Sequence, residues 1–445
     1  MRLAAALSAP LGSLAFVGSG GKTTALFTLA RQLPPPVWVT TTTHLGVAQL
    51  AAADQHWVGL PSDHAAPLEG VVAITGEATA DGRVGALSPS ELEKLHALSQ
   101  QRQVPLLLEA DGARRLPLKA PADHEPALPE WVETVVVTAG LSGLGRPLTS
   151  DWVHRPERFA ALAGLSPGQP VTPESLVRVL LHPDGGLKRI PASARRVCLL
   201  NQADDPRLQS VALRMAEALL AQYSLILTAA LGGSPGSQPL VFAAHQPAAL
   251  IVLAAGAATR YGQAKQVLDW DGQPLVRRVA QAALAAQRGL PPIVVVGAYA
   301  EQVEAALQGL PVLIAHCANW QEGQSASLRA GLQMALQAAS PGAAIFLLAD
   351  QPHVPPTLLR ALLDRHAQTL SPVIAPQVDG RRGTPVLFDR AAFADLLALR
   401  GDMGGRALFS RYPAAWLPWH DPAILSDIDQ PQDYERQKSL WSLSV

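Results

Sequence analysis

Two loops of this sequence combine glycine with cationic side chains, and each follows an apolar run. The first, "FVGSGGKTT" at residues 16–24, contains Lys22; the second, "LAAGAATRYGQAK" at residues 253–265, contains Arg260 and Lys265. Glycine lets backbone N–H groups approach an anion closely, and cationic side chains add donors for phosphate oxygens. Both loops therefore predict phosphate sites. For the second loop, a strand-to-helix turn with solvated cations would show the same short pattern.

Carboxylates follow apolar runs in the second half. Asp350 ends "IFLLAD", and Asp429 stands in "LSDIDQP", just before a helix that Pro431 would begin. A carboxylate at the carboxyl end of a strand in an α/β sheet suits Mg²⁺ bound to nucleotide phosphates. Asp350 would equally suit a turn or a helix cap, and Asp429 a helix cap. The entry to another helix, "EGQSASLRAGL", offers groups that could bind a base or a sugar, or simply cap the helix: Gly323, Ser325 and Ser327.

The first loop has the parts of a nucleotide site. Lys22 can reach phosphates, Thr23 can coordinate Mg²⁺, and a helix N-terminus adds positive dipole. The strict P-loop pattern needs Gly six residues before the Lys, where this chain has Phe16. The loop is therefore the shorter G-x-x-G-K-T-T form of Mur-ligase-like ATPases. Its candidate nucleotide-binding residues are Gly18, Gly20, Gly21, Lys22, Thr23 and Thr24.

Later segments of the first half add candidates for the same site. Glu109 and Asp111 in "LLLEADGARR" suit a Walker-B role in holding Mg²⁺ or its water, or a solvated turn. "LNQADD" resembles the N-K-x-D guanine reader of GTPases, with Asn201 and Asp204 in place and Gln202 for Lys. Asp204 would then pair with a base, or merely cap the next helix.

Short apolar runs alternate with Ala/Leu-rich helical stretches, which predicts parallel sheets covered by helices. The predicted strands are residues 14–17, 37–40, 71–74, 106–109, 134–138, 196–200, 224–227, 250–253, 293–296, 312–315, 344–348 and 373–375. A Gly/Pro/Ser-rich stretch after residue 230 predicts a linker. We expect domains at residues 1–235 and 248–445, joined by a linker at 236–247.

Composition narrows the class of protein. The 445 residues are 48% hydrophobic and 16% charged, as in globular proteins of more than one domain. A net charge of −1 argues against a nonspecific nucleic-acid binder, and no apolar run reaches the length of a membrane span. The start resembles a weak signal peptide but leads straight into the first loop. Cys198 and Cys317 form no disulfide framework or metal motif, so we expect a cytoplasmic protein without nucleic-acid or membrane partners.

The second half resembles the MobA-like nucleotidyltransferases, specifically the molybdenum cofactor cytidylyltransferases. The resemblance rests on an ordered set of motifs: "LAAG…R.G..K", "DQP", "RGTPVLF", "GD.G.R" at residues 401–406 and "DID.P.DY". Guanylyl-transferring relatives tend to have AGG where this chain has Ala254, Ala255 and Gly256, so cytidylyl transfer is favoured. Tyr261 and Gln430 depart from the family pattern, where Met or Phe and Thr are common.

This resemblance implies how the second domain works. CTP would lie along Leu253, Ala254, Ala255, Gly256, Arg260 and Lys265, with Gly323, Ser325 and Ser327 nearby. Arg260 and Lys265 would act on its phosphates, and Asp350 and Asp429 would hold Mg²⁺. Molybdopterin would attack the α-phosphate and release pyrophosphate, with Gly383, Thr384, Asp402 and Arg406 on the pterin side.

Residues from about 12 to 230 resemble the YqeC-like family, accessory proteins of selenium-dependent molybdenum hydroxylases. The matching pieces are "FVGSGGKTT", "VTTTTH", "EADGARRLPLKAPADHEP" and "LNQADD". The resemblance implies binding of ATP or GTP, with hydrolysis, in hydroxylase maturation. Lys119, His124 and Glu125 lie in a family motif, and their role stays open.

The two resemblances imply two α/β domains. The first is a P-loop-like α/β domain, and the second is a Rossmann-like nucleotidyltransferase domain of the nucleotide-diphospho-sugar transferase type. The expected partners are molybdopterin and a molybdenum hydroxylase apoenzyme or its chaperone. Two alternatives stay open: nucleotidyl transfer to another phosphorylated substrate such as a sugar phosphate, and non-catalytic delivery of the cofactor.

Overall fold

The computed structural model describes residues 1–8, 12–60, 69–80, 82–232, 240–258 and 261–442, and the side chains up to residue 438. The chain divides into two compact units, Met1–His245 and Gln246–Val445. Both are mixed α/β units. No helix in the described ranges is both long and apolar enough to cross a membrane.

The first unit contains strands β1 to β14 and helices α1 to α6. The strands are β1 Ser13–Gly18, β2 Val37–Thr41, β3 His44–Gly46, β4 Gln55–Val58, β5 Val71–Thr75, β6 Ala78–Thr79, β7 Arg83–Gly85, β8 Leu106–Glu109, β9 Leu118–Lys119, β10 Thr134–Gly140, β11 Val153–His154, β12 Arg195–Asn201, β13 Leu225–Ala230 and β14 Leu240–His245. The helices are α1 Leu3–Leu7, α2 Lys22–Ala30, α3 Pro89–Gln101, α4 Pro156–Ala163, α5 Pro173–Leu181 and α6 Pro206–Leu219.

The main sheet of this unit has the order β14-β13-β12-β10-β1-β8-β2-β5-β4 in the described residues. Its neighbours pair in parallel except β13 and β14, which are antiparallel. Most central strand residues are buried, because helices cover both faces of a parallel sheet. Carboxyl ends of parallel strands meet at one edge. The register therefore places Glu109 beside Phe16 and Thr41, and Gly140 beside Asn201.

The segment predicted as a linker, residues 236–247, contains part of the first unit's sheet. Its described part contains β14, Leu240–His245, which pairs antiparallel with β13, and the boundary between the units falls after His245. The predicted first domain, 1–235, therefore lacks a strand of its own sheet. The rest of the predicted linker, at 236–239, lies outside the described residues.

The second unit contains β15 to β24 and α7 to α12. The strands are β15 Ala248–Leu253, β16 Asp269–Trp270, β17 Gln273–Pro274, β18 Ile293–Val296, β19 Leu313–His316, β20 Ala343–Leu348, β21 Val373–Val378, β22 Arg381–Arg382, β23 Val386–Asp389 and β24 Ala414–Pro418. The helices are α7 Leu275–Ala286, α8 Ala300–Ala306, α9 Gln324–Ala338, α10 Pro356–Thr369, α11 Phe393–Ala398 and α12 Pro431–Ser442.

The sheet of the second unit has the order β19-β18-β15-β20-β23-β21-β22, and β24 also pairs with β21. The first four strands in this order, β19, β18, β15 and β20, pair in parallel. Strand β23 runs antiparallel to both β20 and β21. Apolar clusters cover both faces of the sheet, one including Leu250 and Val252 and the other Ile251 and Val295. Leu253 and Leu348 end paired strands, so the loops that follow them start side by side.

Candidate nucleotide sites

The loop between β1 and α2 needs its glycines for steric reasons. Gly20 has φ +78°, and a Cβ there would lie 2.3 Å from the backbone nitrogen of Gly140. Gly21 has φ +112°, and its Cβ would lie 2.5 Å from the amide nitrogen of Asn201. Positive φ and this close approach both exclude larger residues. The loop therefore packs directly against the carboxyl ends of β10 and β12.

Lys22 is buried, and its ammonium is held by the loop and its acidic neighbours. Its Nζ donates to the carbonyl of Gly18 at 2.9 Å and lies 3.3 Å from Asp111 Oδ1 and 3.9 Å from Glu109 Oε1. The carboxylate of Asp111 also accepts the backbone N–H of Gly18 at 3.0 and 3.2 Å. The Asp111 carboxylate therefore binds both the backbone N–H of Gly18, at the start of the loop, and the ammonium of Lys22.

Thr23 and Glu109 meet at the start of α2. The Thr23 hydroxyl donates to Glu109 Oε2 at 2.6 Å and accepts from the amide of Gln49 at 3.0 Å. Burial raises the pKa of Glu109, against the opposing effects of Lys22 and the Thr23 bond. The nearby hydroxyls of Thr42 and Thr43 are buried without a hydrogen-bond partner in the described residues. The Thr23 hydroxyl and the Glu109 carboxylate are oxygen donors of the kind that Mg²⁺ and its waters prefer.

A chain of buried ion pairs extends behind Asp111. Lys119 Nζ donates to Asp111 Oδ2 at 2.7 Å, to the Gly112 carbonyl at 2.7 Å and to Glu125 Oε2 at 2.9 Å. Arg155 makes two hydrogen bonds to Glu125, at 2.8 and 3.1 Å. Burial would raise the pKa of Glu125, but Lys119 and Arg155 outweigh it and lower the pKa to about 2. Lys119 and Glu125, two residues of the family motif, therefore hold the Asp111 carboxylate in place.

Asn201 and Asp204 differ in their surroundings. The Asn201 side chain is buried, donates to the Gly20 carbonyl at 2.8 Å and accepts from the Leu231 backbone N–H at 3.0 Å. In this structure its side chain therefore connects the loop between β1 and α2 to the backbone after β13. Asp204 is exposed, and the cap of α6 is Asp205, whose carboxylate accepts from Arg207 N–H at 2.8 Å. The helix-cap alternative for Asp204 was therefore wrong.

In the second unit, the loop after β15 begins with buried Ala254 and Ala255. Gln266 braces this loop, since its amide donates to the carbonyls of Ala254 at 3.2 Å and Gly256 at 2.6 Å. Gly256 is exposed, and a Cβ there would meet nothing within 4 Å. Space is therefore left open above this glycine. The predicted phosphate ligand Arg260 lies outside the described residues.

Lys265 brings together the two predicted metal carboxylates. Its Nζ donates to Asp350 Oδ2 at 2.5 Å and to Asp429 Oδ1 at 3.1 Å. Burial lowers the pKa of Lys265, but the two carboxylates outweigh this effect and raise it. The other oxygen of Asp350 is buried without a hydrogen-bond partner among the described residues. A cation therefore already occupies the point on which both carboxylates converge, and one acceptor oxygen remains available for a ligand.

A hydrogen-bond relay runs from Thr384, a predicted pterin-side residue, to Asp427, whose carboxylate interacts electrostatically with Asp350 and Asp429. Thr384 donates its hydroxyl to Gln351 Oε1 at 2.7 Å, and the Gln351 amide donates to Asp427 Oδ1. Desolvation raises the pKa of Asp427, the Gln351 bond opposes it, and the charges of Asp350 and Asp429 raise it further. Gln351 is a site residue that the sequence patterns did not predict. Its position directly after Asp350 in "DQP" was the available signal.

The start of α9 packs against the loop after α11. A Cβ on Gly323, at φ +104°, would lie 2.7 Å from the Asp402 Cα, and Asp402 Oδ1 accepts the Gln324 N–H at 3.3 Å. The Ser325 hydroxyl donates to the Gly401 carbonyl at 2.7 Å. Residues predicted separately for the nucleotide and the pterin thus form one cluster.

Four other predicted residues, three in the second unit and one in the first, have different surroundings. Ser327 is buried and hydrogen-bonds with the Cys317 thiol, whose pKa burial raises. Arg406 is exposed. Gly383 packs near Leu425. The first unit's Thr24 is exposed on the first turn of α2.

Comparison with known proteins agrees with this division of the chain. The family model "YqeC protein" matches residues 14–157, and the model "MobA-like NTP transferase domain" matches residues 250–416. The uncharacterized protein YqeC of Escherichia coli (strain K12) is 34% identical over 200 residues, which cover 42% of this chain and 75% of that protein. The chain belongs to the YqeC family and also carries a MobA-like NTP transferase domain.

Solved structures similar to this chain include Rv0371c from Mycobacterium tuberculosis H37Rv, at 26% identity, with 43% of this chain and 98% of that chain covered and a TM-score of 0.39. The same protein in complex with manganese is similar at 28% identity, 44% and 99% coverage and a TM-score of 0.37.

The two domains hold their candidate groups in a similar way, because the loop lysine of each contacts two predicted acidic residues. In the YqeC domain the loop lysine, Lys22, contacts both predicted acidic residues, Glu109 and Asp111. In the MobA-like domain the loop lysine, Lys265, contacts both predicted metal carboxylates. The MobA-like match makes the second unit a nucleotidyltransferase-type domain.

Proposed function

We propose that the MobA-like domain is a molybdenum cofactor cytidylyltransferase. It would transfer CMP from CTP to molybdopterin, giving molybdopterin cytosine dinucleotide and pyrophosphate. The observation that carries the proposal is the convergence of Asp350 and Asp429 on Lys265, beside a loop whose Gly256 leaves open space.

The acidic pair is suited to hold Mg²⁺. Asp350 and Asp429 would be its protein ligands, and the unpartnered oxygen of Asp350 supports this assignment. When bound, Mg²⁺ would neutralise charge on the nucleotide phosphates. Lys265 would then turn from the carboxylates to the phosphates, and Arg260 would add a second cation.

In this reaction the main task of the protein is to position the two substrates. An oxygen of the molybdopterin phosphate forms a new bond to the α-phosphorus of CTP, the bond from that phosphorus to the β-phosphate oxygen breaks, and pyrophosphate leaves. Lys265 stabilises the developing charge by electrostatic interaction. Gly383, Thr384, Asp402 and Arg406 would face the pterin, and the Gln351 relay would keep Thr384 aligned with the acidic residues.

Selection of CTP rests on Ala255, because guanylyl-transferring relatives tend to have glycine instead of alanine at this position. Transfer to another phosphorylated substrate, such as a sugar phosphate, and non-catalytic delivery of the cofactor are the alternatives that the experiment separates.

The test measures pyrophosphate release by the full chain with molybdopterin and each of CTP, GTP, ATP and UTP. We expect release with CTP, its loss in Asp350→Asn, and wild-type rates in Asp379→Asn. Asp379 is an exposed carboxylate whose positive φ suits asparagine, so it is a matched control. Equal rates with all nucleotides would contradict cytidylyl transfer, and activity with a sugar phosphate alone would favour the first alternative. Normal activity of Asp350→Asn would contradict the metal assignment.

For the YqeC domain we propose binding and hydrolysis of ATP or GTP in the maturation of a molybdenum hydroxylase, whose apoenzyme or chaperone would be the partner in the cytoplasm. The observation that carries it is the 2.6 Å contact between Thr23 and Glu109 at the start of α2, with unpartnered hydroxyls nearby. Thr23 and Glu109 would hold Mg²⁺, and Lys22 would exchange Asp111 for phosphate oxygens.

Hydrolysis assays with Lys22→Ala test this proposal. We expect Lys22→Ala to lose ATP or GTP hydrolysis, whereas Lys94→Ala, which removes an exposed lysine of the same unit, keeps it. Equal rates with and without Lys22 would show that the loop is not catalytic.

A further inference from the structure

A cleft of about 640 Å³ opens along α2, beginning at the phosphate loop. One wall is the helix face that carries Thr24, Phe27, Thr28 and Arg31, spaced by one and two turns. The opposite wall is the 3₁₀ segment Val47–Ala52. Its floor includes Thr23 and Gln49, which hydrogen-bond to each other. The cleft therefore adjoins the proposed magnesium residues.

The volume and lining of the cleft limit what it can bind. Binding sites for small organic ligands typically enclose about 300–1,000 Å³. Arg31 is the one charged residue that lines it in the described part of the chain, and its guanidinium already pairs with Asp54 at 2.7 Å. Small residues, one aromatic ring and several uncharged polar groups line the rest. This chemistry suits a neutral, partly apolar group with hydrogen-bonding atoms rather than a second polyanion.

Asn201, one of the two residues of the predicted base-reading motif, has no free amide atoms for a base. Asn201 is 1% exposed, and both atoms of its amide are hydrogen-bonded to backbone. The nucleoside of a nucleotide held by the loop therefore has no contact with the Asn201 amide, whereas the cleft adjoins Thr23 and is large enough for it. We propose that the nucleoside of the bound nucleotide occupies the cleft between α2 and Val47–Ala52. This inference rests on the proposed nucleotide binding by the YqeC domain.

The experiment fills the cleft without touching the loop. Ala52→Trp and Ala48→Trp place an indole in the cleft, and Ala51→Trp places one on an exposed residue of the same segment that does not line it. Binding of ATP, GTP and inorganic tripolyphosphate to the full chain is measured by calorimetry, and the part lost in Lys22→Ala is assigned to this domain. Circular dichroism checks that each variant is folded.

We expect Ala52→Trp and Ala48→Trp to weaken Lys22-dependent nucleotide binding about tenfold or more, while tripolyphosphate binding and the Ala51→Trp variant stay within about twofold of wild type. Wild-type nucleotide affinity in both cleft variants would overturn the inference and leave nucleotide binding intact. An equal loss of tripolyphosphate would also overturn it, since the effect would then lie on the phosphates. If the wild-type chain shows no Lys22-dependent binding of any probe, the proposed function of the domain fails as well.

Discussion

Glu125→Gln should lower the free energy of unfolding of the YqeC domain, and the size of this loss follows from the buried ion pairs of Glu125. The ordinary pKa of a glutamate is 4.5, whereas Lys119 and Arg155 lower the pKa of Glu125 to about 2 despite its burial. Since one pKa unit corresponds to about 1.4 kcal/mol, the charged form contributes about 3 kcal/mol to the free energy of unfolding at pH 7. Glutamine keeps the shape but removes this charge.

The pH dependence follows from the direction of the shift. A lowered carboxyl pKa stabilises the fold above the unfolded pKa, and this stabilisation is lost as the pH falls from 4.5 towards 2. The penalty of Glu125→Gln should therefore be nearly the same at pH 7 and pH 5 and fall to about 2 kcal/mol at pH 3.5.

Urea unfolding of the full chain at these pH values measures the penalty. Hydrogen exchange of peptides from residues 1–245 follows this unit separately from the other. Glu130→Gln, at an exposed glutamate, is the control and should change stability by less than about 0.5 kcal/mol. A penalty below about 1 kcal/mol at pH 7, or one that does not fall at pH 3.5, would refute the reasoning.

Three further predictions concern the loops and the relay. Gly20→Ala should destabilise the first unit by at least about 2 kcal/mol more than Gly164→Ala, because both glycines have positive φ but only Gly20 has backbone within 2.3 Å of a Cβ; similar urea midpoints would contradict this. Asn201→Ala should cost about 2–4 kcal/mol, because it leaves the Gly20 carbonyl and the Leu231 N–H without their buried partner, whereas Asp204→Ala should cost less than about 0.5 kcal/mol; the reverse order in thermal unfolding would be incompatible with this account. Gln351→Met should raise the pKa of Asp427, because it removes a hydrogen bond that lowers that pKa; an unchanged Asp427 pKa in an NMR titration of the full chain would argue against the relay.

The central strands could be predicted from the sequence because each is a short apolar run between helical stretches. The structure places β1, β2, β8, β15 and β20 at the predicted residues, give or take one or two at their ends. It also places Glu109 at the end of β8 and Asp350 two residues after the end of β20. The prediction missed β14, because "LVFAAH" lies inside a stretch rich in Gly, Pro and Ser that resembles a linker.

The contacts of the site could not be predicted in the same way, because they join residues far apart in the chain. Nothing near Asn201 in sequence indicates that Gly20 and Leu231 would use both ends of its amide. The pairing of Lys22 with Asp111 likewise depends on the alignment of β1 with β8. Sequence patterns gave the types of residue at each loop, and the sheet register decided which of them meet.

The most direct test of the central proposal is the identity of the dinucleotide made by the purified full chain. Molybdopterin, Mg²⁺ and equal concentrations of CTP, GTP and ATP are incubated with the protein, and the product is identified by mass spectrometry. The account predicts molybdopterin cytosine dinucleotide, in amounts that match the pyrophosphate released. A guanine or adenine dinucleotide, or the absence of any dinucleotide from folded protein, would contradict it.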